Sequence, residues 1–252
     1  MKKNLFAAAA AVAFLGSAVA AQAQTVGHVG ANYSRTDLDV AGLDADADVY
    51  QLEGAVRFDA GSLGAQIDAS VTNYDGDDTS FGATGHLNTK LGGGLVGGFA
   101  GVETSDDLTV WGVGLDGQAN LGPATSLYGQ AGYGSTDDLG DDADIWAVRA
   151  ELRHFVTDNF RLQGSLGYTR VNVTGPDADG WNAGVEAEYQ FAETPFSVVA
   201  GYDHFDSNDL RANADTLRIG FRYTFGGTLK DRDQSGASLG SMGRLFGAGL
   251  VR

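Results

Sequence analysis

Four groups of residues have types and spacings that could do chemistry. Asp203, His204, Asp206 and Asp209 set carboxylates around an imidazole, as an acid–base hydrolytic site would. Asp44-Ala-Asp46-Ala-Asp48 and Asp231-Arg-Asp233-Gln-Ser235-Gly236 begin like calcium loops. Such a loop wants Gly at its sixth position and Glu at its twelfth. The first has Val49 and Ala55 there, and the twelfth residue of the second is Met242. The glycines at 92–98 could cradle a phosphate, but no Lys-Ser/Thr follows them. The fourth group is the largest: Arg, Lys, Asp and Glu recurring at every second position of apolar segments, a spacing that lines one surface with charge. The four His residues lack metal-ligand spacing, and with no Cys there is neither thiol catalysis nor a disulfide. No cofactor is implied.

These charges can share a surface only if the segments that carry them are strands. From Thr25 the chain breaks into twelve alternating segments: about 26–35, 49–58, 63–74, 80–90, 95–104, 109–121, 126–134, 144–155, 160–171, 181–191, 196–205 and 217–225. The clearest is Leu217 to Phe225, in which Leu217, Ile219, Phe221, Tyr223 and Phe225 alternate with Arg218, Gly220, Arg222 and Thr224. Short turns follow the even segments. Mostly longer acidic connections follow the odd ones, at 37–48, 75–79, 105–108, 135–142, 174–179 and 206–214. All three prolines fall in connections.

The formal charge is −17, which excludes binding to nucleic acid through an electrostatic footprint. Three Trp, nine Tyr and 13 Phe, placed regularly, exclude a disordered chain. The first residues are a leader rather than fold. Lys2 and Lys3 precede the apolar run Leu5–Leu15, and Ala21-Gln22-Ala23 is a small-x-small cleavage site, so residues 1–23 read as a secretory signal peptide. No later stretch is apolar for the length of a membrane helix.

Ending on Tyr223-Thr-Phe225, the last strand resembles the closing strand of a bacterial, Gram-negative (proteobacterial) outer-membrane β-barrel of the porin-like kind. The resemblance covers residues 25–225 by pattern and closing strand. It implies an all-β fold: a single antiparallel up-and-down transmembrane β-barrel of about twelve strands, with short periplasmic turns and longer acidic extracellular loops. It also implies outer-membrane location and recognition of Leu217–Phe225 by the barrel-insertion machinery. The barrel domain is expected over 24–225, and residues 226–252 as a Gly-rich periplasmic tail that could enter the lumen from below.

Within that architecture one face meets lipid and the other lines the lumen. Aromatic belts are expected at both interfaces. On the loop side they comprise Tyr50, Trp111, Tyr133, Trp146, Tyr168, Trp181 and Tyr202. On the turn side they comprise Phe58, Phe155, Phe160, Phe191, Phe196, Tyr223 and Phe225. Parity puts the acids Glu53, Asp68, Asp116, Glu151, Glu186, Glu188 and Asp203 in the lumen, with the bases Arg57, Lys90, Arg149, Arg153, Arg161, Arg218 and Arg222.

Two outcomes follow. Opposed charges across water would make a selective pore for small polar solutes or ions. Charges that meet would make a salt-bridged, poorly conducting barrel that serves structure or surface interaction. An outer-membrane hydrolase is the remote third reading. Outer-membrane lipid and lipopolysaccharide are the expected partners. The Asp clusters at 75–78, 106–107, 137–142 and 206–209 keep the rim soluble and could hold divalent cations that bridge to lipopolysaccharide.

Overall fold

The computed structural model describes residues 25–74, 78–105, 108–136, 143–173 and 177–247. Residues 1–24, where the signal peptide is expected, the acidic stretches at 75–77, 106–107, 137–142 and 174–176, and the last five residues lie outside that description. The strands are β1 (Val26–Val40), β2 (Leu43–Ala60), β3 (Leu63–Tyr74), β4 (Asp78–Leu91), β5 (Gly94–Thr104) and β6 (Thr109–Gly122). Then come β7 (Thr125–Thr136), β8 (Ala143–Thr157), β9 (Phe160–Asn172), β10 (Ala178–Gln190), β11 (Phe196–Ser207) and β12 (Ala212–Phe225). Each pairs antiparallel with its sequence neighbours, and β1 pairs with β12, so the twelve strands form a closed barrel. The seam runs from Gly27 opposite Phe225 to Val40 opposite Ala212. Closure removes the edges at which an open sheet would aggregate.

The two faces are sorted the opposite way to a water-soluble protein. Leu87, Leu115, Leu166, Val185, Leu217 and Phe221 point outward and are exposed, while Gln66, Gln118, Glu151 and Glu188 are buried. Alternation explains this: a strand's side chains point to opposite sides of the sheet in turn, and here the polar set points in. An apolar exterior around a polar interior is the signature of a barrel in a membrane.

Two expectations need correction. The acidic connection expected at 37–48 is mostly strand. Asp37 pairs with Asp46 and Leu38 with Ala45, leaving only Ala41 and Gly42 to turn the chain. The acid content suggested a loop, but Asp alternating with Ala still satisfies the period-2 rule, so this hairpin stands above the apolar band. Likewise the connection expected at 206–214 shortens to Asn208–Arg211.

The tail takes the expected course into the lumen, and residues 226–247 fold back inside the barrel. Gly226 (φ 86°) and Gly227 (φ 135°) turn the chain back at the end of β12, in backbone geometry that favours Gly. Thr228 then caps α1 (Leu229–Ser235): its hydroxyl accepts from the Asp231 N–H at 3.1 Å, and the Asp231 carboxylate accepts from the Thr228 N–H at 2.9 Å. Gly236, in the left-handed conformation, ends α1, and a second short helix, α2, spans Met242–Phe246. Leu229, Asp233, Ala237, Leu239, Met242, Leu245 and Phe246 are buried inside the barrel.

Candidate functional site: the filled lumen

The inward charges meet. Glu188, fully buried, faces Arg161 at 2.9 Å, Arg222 at 2.9 Å and Arg232 at 2.9 Å. Glu186 faces Arg161 at 2.5 Å and Arg218 at 3.0 Å, and Arg218 also reaches Asp203 at 3.4 Å. Arg222 reaches across the seam to Glu53 on β2 at 2.8 Å. The acids of β10 thus serve the bases of β9 and β12. Arg149 and Arg153 on β8 share Glu151 of their own strand, at 2.9 and 2.6 Å.

On the opposite wall, His86 lies between Asp116, 2.6 Å from its Nδ1, and Asp68, 3.2 Å from its Nε2. Arg57 is buried against Asp59 at 2.8 Å and donates to Asn88 at 3.0 Å. Lys90 follows inward parity but sits at the turn rim, half exposed, 3.4 Å from Asp59.

Sequence reasoning missed the residues that the tail adds. Arg153 contacts Asp233 at 2.7 Å, and the Ser126 hydroxyl donates to the same carboxylate at 2.7 Å. Arg232 donates to Thr224 at 2.9 Å, and Arg244 lies 3.7 Å from Glu186. Higher up, the Gly240 N–H donates to the Tyr128 hydroxyl at 3.0 Å, and the Met242 N–H donates to Thr84 at 2.9 Å. Asp231 and Asp233 are therefore a helix cap and an ion-pair partner. A signal for the tail existed: Leu239, Met242, Leu245 and Phe246 recur at three- and four-residue steps, the spacing of one helix face. Between the tail and the remaining wall lies a cavity of ≈ 220 Å³, with Glu53, Arg161, Arg218, Arg222 and Arg244 on its surface.

On the outer face, aromatic side chains contact one another around the barrel. Near the loops Tyr33 meets Tyr50 at 5.4 Å between ring centres, Tyr133 meets Trp111 at 5.7 Å and Trp146 at 4.9 Å, and Trp181 lies 5.4 Å from His204. Tyr33, Tyr133, Tyr168 and Tyr202 each donate to an aspartate of the neighbouring strand, Asp48, Asp144, Asp179 and Asp215 respectively. Near the turns Phe160 meets Tyr189, Tyr189 meets Phe191, and Phe196 meets Tyr223. Phe58 and Phe225 are half-buried, and the Phe225 ring lies over Gly27.

Phe155 does not belong to this outer set. It is 4 % exposed and shares the inward parity of Glu151 and Arg153, because it stands two residues from Arg153 on a period-2 strand.

The cluster at 203–209 does not converge. Asp203 points inward to Arg218, His204 faces Asp215 at 2.8 Å, and the Asp209 carboxylate accepts from the Asp179 N–H at 3.1 Å.

A closed antiparallel barrel with an apolar outer band and a charged interior defines a transmembrane β-barrel protein. The chain matches the family model described as outer membrane protein beta-barrel domain over residues 6–225, and it belongs to that family. It is thus an outer-membrane barrel protein, and the match stops at Phe225, before the tail. Among solved structures it is similar to the outer membrane channel COG4313 from Pseudomonas putida F1, with a TM-score of 0.59 and 13% identity over 80% of this chain and 95% of that one. It is also similar to the KdgM porin in complex with disordered oligogalacturonate, with a TM-score of 0.57 and 12% identity over 78% and 99%. A third is the translocator domain of the autotransporter NalP from Neisseria meningitidis, with a TM-score of 0.52 and 13% identity over 88% and 98%. At these identities the likeness is one of fold. No curated protein matches the chain in sequence.

Proposed function

We propose that the protein is a porin-like channel that passes small polar solutes or ions along a charged inner wall. The observation that carries this reading is the wall itself. Charged and amide side chains face inward along the strands, from Arg57 and Arg153 near the turns to Asp203 and Arg218 nearer the loops. A barrel that served only as an anchor would need the outer apolar band and could fill its interior with apolar side chains. The names porin and channel among proteins of the same fold support the reading. In this reading the outer aromatic rings are the interface belts, because an amphipathic ring is favoured where lipid meets water. The apolar band then meets lipid, lipopolysaccharide surrounds the loop side, and Leu217–Phe225 is what the insertion machinery reads. Divalent cations held by the acidic rim would bridge it to that lipopolysaccharide.

A second reading has a specific observation in its favour. Charges paired as closely as Glu188 and its three arginines suit a barrel that conducts little. Planar-bilayer recordings of the purified protein, with and without sized sugars, separate the two. A channel gives discrete conductance steps that sugars below a cutoff size reduce. Replacing Arg149 and Arg153 with Ala is expected to shift its ion selectivity toward cations, because two positive charges leave the wall. Unaltered reversal potentials would count against the charged route.

A further inference from the structure

Taking the channel reading as its base, we propose that residues 229–246 are a built-in plug that closes this barrel by occupying a socket formed for it in the lumen wall. The wall's ligand is an amphipathic helical peptide, namely this chain's own C-terminal segment.

The socket has two parts. Toward the loops, the wall turns from charged to apolar. Phe99 on β5, Val110 on β6, and Ile145 and Ala147 on β8 all face inward, and Met242, Leu245 and Phe246 of α2 pack on them as one buried cluster. Apolar side chains facing water in a pore would be unfavourable, so this patch makes sense with α2 on it. The space for α2 is made by absent side chains. A Cβ at Gly112 would come within 2.6 Å of the Phe246 ring and 2.9 Å of the Met242 sulfur, and one at Gly132 within 3.0 Å of Leu245. Glycine on these two strands therefore shapes a recess that fits the helix.

Toward the turns, Leu239 packs on Leu95 and Tyr128, but most contacts are polar, and the wall's charges are nearly self-sufficient without them. Arg153 has Glu151 as well as Asp233. Glu188 has Arg161 and Arg222 as well as Arg232. Glu186 has Arg161 and Arg218 as well as Arg244. Withdrawing the tail thus leaves the wall's charges paired within the wall. A core that never opened would have no need of this duplication. Arg232 and Asp233, adjacent and opposite in sign, leave together as a neutral unit. What holds the plug is chiefly apolar contact, of α2 and to a lesser extent of Leu239, and what lines the barrel once it leaves is a charged route with an apolar recess near the loops.

Two measurements on the full chain test the socket and the channel separately. First, a cysteine at Ala237, which is fully buried, is compared with one at Gln234, which is exposed. The chain has no native cysteine to interfere. A membrane-impermeant maleimide should label Gln234→Cys and leave Ala237→Cys largely unmodified. Equal labelling rates at both positions would overturn the socket whatever the barrel conducts.

Second, bilayer conductance is compared for the full chain, for a chain ending at Phe225, and for Leu245→Asp/Phe246→Asp, which keeps the tail but makes the apolar contact unfavourable. The plug predicts small or rare openings for the full chain and severalfold larger or more frequent ones for both variants. The double variant covers the case in which the shortened chain does not fold. Equal conductance in all three, with folding shown by heat-modifiable migration on gels, would overturn the plug. Silence in all three together with a protected Ala237→Cys would overturn the channel reading and the plug's role in closing it, while leaving the seated tail standing.

Discussion

Replacing Glu188 with Ala should destabilise the barrel by roughly 3–5 kcal/mol, the usual cost of removing one member of a buried ion cluster. Glu188 is fully buried and faces three guanidinium groups, each at 2.9 Å, while its carboxylate also accepts from the Ser197 hydroxyl at 2.9 Å. Removing it leaves Arg222 with Glu53 and Arg161 with Glu186, but Arg232 with no carboxylate partner among the described residues. Most of the cost arises there, because a charge out of water without a counter-charge is far less stable than a paired one. Glu188→Gln should recover little, since it keeps the shape and loses the charge. Glu188→Ala combined with Arg232→Ala should cost less than the sum of the single changes, because the second removes the charge orphaned by the first. Urea unfolding in lipid vesicles, followed by Trp fluorescence, measures these three and Arg232→Ala alone. A loss below about 1 kcal/mol for Glu188→Ala, the range of an exposed pair, would mean that the cluster is hydrated rather than buried.

The second large effect concerns the outer face. Leu115 points outward on β6 between Gly98 and Ala131, four residues from Trp111 of the loop-side ring and six from Leu121 at the turn end. Without a membrane it is 71% exposed, and Leu→Arg at an exposed site of a soluble protein is close to neutral. In a bilayer the same change puts a guanidinium at mid-depth and should cost about 2–4 kcal/mol. Leu43, at the tip of the β1–β2 hairpin and 75% exposed, is the control, with an expected change within about 0.5 kcal/mol for Leu43→Arg. Equal effects at the two sites would contradict a lipid-facing outer band.

How much of this could be read from the chain differs by kind of structure. The strands and their facing were legible because a strand's side-chain period is two, and residues such as Leu217–Phe225 keep it without interruption. Phe155 is an aromatic beside a turn, which points to the outer belt, but its parity with Arg153 sends it inward. The hairpin at 37–48 was hidden by its aspartates, which mark solvent but do not forbid a strand. The ion pairs were legible only as a set of facing charges. Which acid meets which base depends on register across several strands, so the Arg222–Glu53 contact over the seam could not be read from neighbouring positions. The tail was the hardest. Its glycines look like linker, and its helices are too short to stand alone in water. They persist because the wall buries them, information that lies far earlier in the chain, at Gly112, Gly132 and Ile145.

The Gly226–Gly227 reversal has a consequence for affinity. It joins the helical segment to β12 by a very short leash, so seating is a unimolecular event. A tether of this length gives a local concentration in the millimolar range. Contacts too weak to hold a free peptide would then suffice to keep the lumen occupied nearly all the time. Any release would be brief, and its frequency would not depend on how many copies share a membrane. A synthetic peptide of residues 228–247 added to the shortened barrel would need to approach that same concentration before it could take the place of the tethered one.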